Sequence, residues 1–128
     1  MSEETLFDRG MKVRRAVLGD AYVDRSLNAG TEFREPMQQL VTEFCWGAVW
    51  DRPNLDRRTR SLVNLGMLTA LNRSTELAVH IRGAVNNGAS KEEIQETLLQ
   101  AAVYCGMPAG LESFRVAEKV FDDLAAEG

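Results

Sequence analysis

The sequence predicts an all-α fold, a single domain of about six helices spanning residues 1–128, and three features point there. Apolar residues recur at helical steps of three and four along most of the chain. The three prolines, Pro36, Pro53 and Pro108, fall between the periodic runs, where they can punctuate helices. The short alternating runs that mark strands do not occur. A chain of 128 residues is long enough to bury roughly two thirds of its unfolded surface, so no disulfide or metal staple is needed.

The first helix is expected over residues 3–18, with Leu6, Val13 and Val17 at helical steps and Gly19 as its stop. A second covers roughly 33–46, with Pro36 in its first turn and Leu40, Val41 and Phe44 forming the apolar face. Gly47 and then Asp51-Arg52-Pro53-Asn54 end it. The third starts at Asp56 as N-cap and runs to Leu71. Its second half places Leu62, Val63, Leu65, Met67, Leu68 and Leu71 all around the axis, which requires cover on every side and so implies subunit association. Asn72 stops this helix. Ser74 is the expected N-cap of the fourth, which Asn87-Gly88 close with a left-handed cap. Ser90 and Glu93 have the spacing of a capping box and open the fifth, whose buried stripe is Ile94, Leu98, Ala101, Ala102 and Cys105. Gly106-Met107-Pro108 breaks it, and the last helix carries Leu111, Phe114, Ala117, Phe121 and Leu124.

Composition narrows the function. A net charge of −4 and a pI near 5.0 argue against nucleic acid as a partner, since that binding needs a basic face. Within this acidic chain, Arg52, Arg57, Arg58, Arg60 and Arg73 nevertheless lie inside 22 positions, which suggests a local anion site or a subunit interface. The opening MSEETLFDRG has no apolar signal region and no run approaches a membrane span, so a cytoplasmic protein with no membrane partner is expected. Cys45 and Cys105, 60 positions apart with a single histidine in the chain, build neither a zinc site nor a redox pair, and both read as buried thiols.

His80 is that histidine. It lies in the fourth helix beside the apolar stripe of Leu77, Ile81, Ala84 and Val85, and shares its own face with Arg73, Glu76 and Gly83, the glycine leaving open space one turn beyond. A cation, a carboxylate and an imidazole in a row suit acid–base work; the plain alternative is a half-buried histidine bonded to a glutamate of its own helix. Trp46 and Trp50 could wall an apolar pocket or be core aromatics. Glu43 is a buried carboxylate if its helix packs inward and a solvated one otherwise. Arg57, Arg58 and Arg60, at the cation-averse start of a helix, face solvent or meet an acidic partner, either substrate or subunit.

Blocks running nearly the whole chain carry a resemblance: R-G-M-K-V-R-R-A-V-L-G with V-D-R-S-L, F-C-W-G-A-V-W-D-R-P-N-L, R-T-R-S-L-V, and H-I-R-G-A-V-N-N-G with S-K-E-E-I-Q-E. The sequence resembles the carboxymuconolactone decarboxylase family, in particular its protocatechuate-catabolism branch. Alkylhydroperoxidase-like relatives carry C-x-x-C-x-x-x-H where this chain has Arg73, Glu76 and His80, so both redox sulfurs are missing. The resemblance implies an all-α fold, a ring-like homohexamer, no cofactor, and decarboxylation of 4-carboxymuconolactone to 3-oxoadipate enol-lactone in the β-ketoadipate route. Such a lactone dicarboxylate is its own electron sink, so the protein supplies orientation, stabilisation of a dienolate and one proton. Protonated His80 is then the acid and oxyanion partner, oriented by Glu76 or Glu43; Arg60 and Arg73 grip the carboxylates, and Trp46 walls the departing one. The competing readings are a non-catalytic oligomeric helical module and a hydroperoxidase-type redox protein.

Overall fold

A computed structural model describes residues 3–128, and every regular element among them is helical. The α-helices are α1 (Leu6–Leu18), α2 (Asp20–Asn28), α3 (Glu35–Leu40), α4 (Arg57–Ala70), α5 (Ser74–Asn86), α6 (Lys91–Cys105) and α7 (Met107–Glu127), with a π-helix over Val41–Val49 continuing α3. Contacts divide the chain into two compact units, Met1–Arg57 and Arg58–Gly128.

In the first unit α1 packs on the π-helix. Thr5 opens α1 with a capping box to Asp8, and Gly19, at φ 90°, closes it. Two glycines let the backbones meet: a Cβ on Gly10 would lie 1.9 Å from the carbonyl oxygen of Thr42 and one on Gly47 would lie 2.7 Å from that of Leu6. Around this crossing Val13, Val17, Trp46 and Trp50 form a small core, flanked by Leu18 and Val41. Helix α2 was not expected from sequence; Val23 is its one buried residue, too little for a periodic signal. The expected 33–46 helix starts two residues later and does not stop at Gly47. From Val41 its hydrogen bonds lengthen to i→i+5, as in Trp50 N–H to Cys45 O at 3.0 Å.

The second unit is built on Leu65, Leu77, Ile81, Ala84, Ala89, Ile94, Leu98, Ala117 and Val120. Helix α7 lies along both α5 and α6. Each of its fully buried leucines and isoleucines contributes roughly 1.5–3 kcal/mol by leaving water. The Ser90–Glu93 capping box forms as expected, Gly88 takes its positive φ of 93°, and Asn72 the left-handed φ of 56° that ends α4. Ser74 does not cap α5. Arg73 occupies the N-cap position without a side-chain bond, and the Ser74 hydroxyl instead donates to Glu112 Oε2 at 3.1 Å. Helix α4 is apolar all round, and only part of it is covered by its own unit: Leu65 is buried, whereas Val63, Met67 and Leu71 are exposed. Leu111 is exposed too.

The cysteines correct the sequence reading. Cys45 and Cys105 are both free and exposed, Cys45 because it points off the α1-facing side of the π-helix and Cys105 because it ends the α6 stripe past its last covered position, Ala102.

Candidate active site

Helix α5 gathers three of the candidate residues. Its inner face is fixed by Leu77, Ile81 and Ala84, all essentially inaccessible to solvent. His80 is three residues after Leu77 and one before Ile81, so its ring is drawn toward that core while the residue remains half-buried; Nδ1 itself is buried. Glu76, one turn earlier in the first turn of the helix, is exposed, as is Arg73 at the N-cap. The carboxylate is well placed there, since the helix N-terminus favours negative charge. The expected open space at Gly83 is not found, because Gly83 is buried in the packing of α5.

Burial governs the chemistry of His80. Desolvation pushes its pKa from 6.5 down to about 4, with the Glu76 carboxylate opposing the shift. Sequence reasoning took an imidazolium available near neutral pH; the structure instead holds a neutral imidazole in the ligand-free chain, because the ring lies against apolar side chains.

The arginines separate. Arg58 pairs with Glu93 of α6, and Arg57 lies 3.9 Å from Asp51. These two meet carboxylates of their own chain. Arg60 is half-buried on α4, with its Nε shielded from solvent. Close by, Asn87 Nδ2 donates to Ser61 Oγ at 2.9 Å, tying the end of α5 to the start of α4.

Glu43 and Trp46 stand on the π-helix of the first unit. Glu43 is partly buried and accepts a hydrogen bond from Gln39. Trp46 is 3% exposed and stacks obliquely on Trp50, with ring centroids 4.8 Å apart, so within its unit it is a core aromatic. Among the described residues no group of three His, Cys, Asp or Glu side chains could hold a metal ion.

One residue of chemical interest was passed over. Gly10, Val13, Arg14 and Val17 are the buried residues of α1, and their i, i+3, i+4, i+7 spacing puts Arg14 on the apolar stripe itself. That placement was readable from sequence, where the pair Arg14-Arg15 passed as surface charge.

Residues 35–119 match the pattern of the carboxymuconolactone decarboxylase family. The chain belongs to that family. It is 43% identical over 124 residues to the 4-carboxymuconolactone decarboxylase of Acinetobacter baylyi, covering 97% of this chain and 92% of that protein. It is 48% identical over 123 residues to a nitrosuccinic acid decarboxylase of Metarhizium robertsii, covering 96% and 86%. A Pseudomonas putida 4-carboxymuconolactone decarboxylase sequence is 47% identical over 47 residues, 37% of this chain and 98% of that one. This member of the carboxymuconolactone decarboxylase family is therefore a carboxy-lyase. The R-x-x-E-x-x-x-H face of α5 is the part of it that combines ionisable groups with a buried ring.

Proposed function

We propose that the enzyme removes carbon dioxide from 4-carboxymuconolactone to give 3-oxoadipate enol-lactone, without a cofactor, with His80 as proton donor. The observation that carries this reading is the buried imidazole on α5, flanked by Glu76, in a chain 43% identical to a decarboxylase of that name across 97% of its length. When the ring carboxylate leaves as carbon dioxide, its bonding electrons flow through the ring double bond to the lactone carbonyl. The dienolate then takes a proton at carbon. A neutral imidazole cannot supply that proton cheaply. The substrate's own negative charges resolve the difficulty, since carboxylates placed against a desolvated imidazole raise its proton affinity. His80 takes up a proton as the dianion binds, delivers it to the dienolate and returns to its neutral state. Net, one proton is consumed and one carbon dioxide released.

Glu76 is the orienting carboxylate on this reading, being on the same helix one turn away. Arg73 and Arg60 supply cations for the carboxylates, and Glu43 and Trp46 are kept as candidates to be examined by substitution. The setting is cytoplasmic protocatechuate catabolism.

A second reading is nitrosuccinate as substrate, favoured by the 48% identity to the Metarhizium enzyme. The electronic demand is the same: a carboxylate leaves a carbon whose electron pair a neighbouring acceptor, here a nitro group, can hold. The purified protein should be given each acid in parallel, with carbon dioxide release measured alongside the absorbance of the products. Turnover of the lactone at a rate well above that of nitrosuccinate supports the first reading; the reverse order replaces it. Exhaustive chelation should leave the rate unchanged, and loss of turnover on chelation would show that the mechanism needs a metal.

The enzyme is also proposed to be a homo-oligomer, the family resemblance implying a hexamer. An open apolar groove of about 750 Å³ in the second unit, lined by Leu62, Gly66, Met67, Ala101, Tyr104 and Cys105 among others, supports association. Val103 and Tyr104 beside it are 70% and 80% exposed. A sedimentation mass equal to the 14.3 kDa chain at micromolar concentration would overturn this part of the reading.

A further inference from the structure

Among the described residues, Arg14 is the one charged side chain in the buried class, 5% exposed. Its partners are all neutral: Nη1 donates to Gln38 Oε1 at 2.8 Å and to Thr42 Oγ1 at 3.2 Å, and Nη2 makes a long contact with Ser26 Oγ at 3.4 Å. Nε is buried with no hydrogen-bond partner. The ionisable groups that act on it are Tyr22, Cys45 and Arg15, none of them a carboxylate. Burial pushes the Cys45 thiol up, so it does not supply a negative charge near neutral pH. The acidic residues of α2, Asp20 and Asp24, are both held by Arg15. Desolvation disfavours the charge on Arg14, yet a guanidinium does not give up its proton in a protein. A buried cation with no anion is the arrangement that most disfavours the folded state unless a counterion arrives.

The unsatisfied donors have a shape. In a guanidinium the Nε–H and one Nη2–H point the same way, side by side, and this edge is the one a carboxylate takes with two parallel hydrogen bonds. Both Nη1 protons are engaged, so the Nε/Nη2 edge is what remains. The hydroxyls of Thr42 and Ser26 accept from Arg14 and keep their own protons to give to an oxygen placed there. A single guanidinium with no second free cation beside it matches a single negative charge, which favours a carboxylate over a phosphate dianion.

We infer that Arg14, Ser26 and Thr42 form a binding site in the first unit for the carboxylate of a small organic acid, docked on the Nε/Nη2 edge of Arg14 and stabilised by the two hydroxyls. The inference does not depend on decarboxylation, and its test reads no turnover. Thermal unfolding of the full-length protein should be followed with increasing acetate or succinate, against chloride at matched ionic strength. Saturable stabilisation of the wild type is expected, about 5–10 °C at a hundredfold excess over the dissociation constant. Arg14→Met should melt no lower than the wild type without ligand, because an uncompensated charge has gone, and should lose the carboxylate response. No saturable response in the wild type, or an equal one in Arg14→Met, overturns the site. A variant that unfolds is covered by a wild-type measurement: the Arg14 Nε–H resonance should shift on adding acetate, and a stationary resonance overturns the site as well.

Discussion

The two units each bury one strongly basic group, and burial acts on both in the same direction with opposite results. In the second unit it takes His80 from 6.5 to about 4 and leaves a neutral ring. In the first it lowers Arg14 as well, but a guanidinium starts so far above neutrality that the charge survives. One unit therefore holds a base that can accept a proton when anions approach, and the other a fixed cation that can only accept an anion. Desolvation alone does not decide what a buried base does; the intrinsic pKa it starts from does.

The largest effect that sharpens this contrast is on His80. His80→Gln keeps polarity and approximate size but cannot relay a proton, so kcat should fall about a hundredfold or more while folding and assembly persist. Normal turnover would make the imidazole structural and return the α5 site to a packing role. Next is a steric break in the first unit. Gly10→Ala puts a methyl 1.9 Å from Thr42 O and 2.9 Å from Gly47 N, both backbone atoms that cannot swing aside. Denaturant melts should show a loss of about 3 kcal/mol or more, or failure to fold, by forced overpacking. A neutral result would mean that α1 and the π-helix do not meet at this glycine.

Acidity provides the third. The folded pKa of His80 lies below its unfolded value, so the unfolded chain binds more protons between pH 4 and 6.5 and stability must rise with pH across that window. The His80 contribution is complete above pH 6.5 and lost on descent toward pH 4, on the order of 3 kcal/mol. His80→Gln should flatten that part of the stability profile; equal slopes in both proteins would show that the ring is not desolvated. The smallest effect is at Gly66, inside α4, where an added Cβ meets nothing within 4 Å. Gly66→Ala should stabilise the isolated chain by about 0.5–1 kcal/mol through helix propensity. A destabilised or dissociated product would instead reveal a neighbour seated in the groove that Gly66 lines.

What the sequence makes legible is local chemistry with a fixed spacing. The Ser90–Glu93 capping box, the turn at Asn87-Gly88 and the stop at Asn72 all form where their residue types demand. The Thr5–Asp8 box has the same kind of spacing and was readable on the same grounds. Ser74 shows the limit: its hydroxyl takes Glu112, 38 residues away, and no local pattern announces that partner. At the candidate site, the position of His80 beside the Leu77–Ile81 stripe is readable, but its proton affinity is not, because that depends on how deeply tertiary packing draws in the ring. Arg14 is the opposite case. Its burial follows from the stripe it occupies, and only the expectation that arginines belong in solvent hides it.

The π-helix carries a consequence of a different kind. Its i→i+5 bonds accommodate one residue more per turn than an α-helix would, so Val41–Val49 is a stretch where chain length sets the phase of the side chains. Excising one residue there would let i→i+4 bonding resume and turn everything on one side of the cut by about 100° relative to the other. Thr42 and Trp46, now both inward on α1, could not then both remain so. Substitutions in this segment test individual contacts, whereas a single-residue deletion would rephase the whole face on which the first unit is assembled.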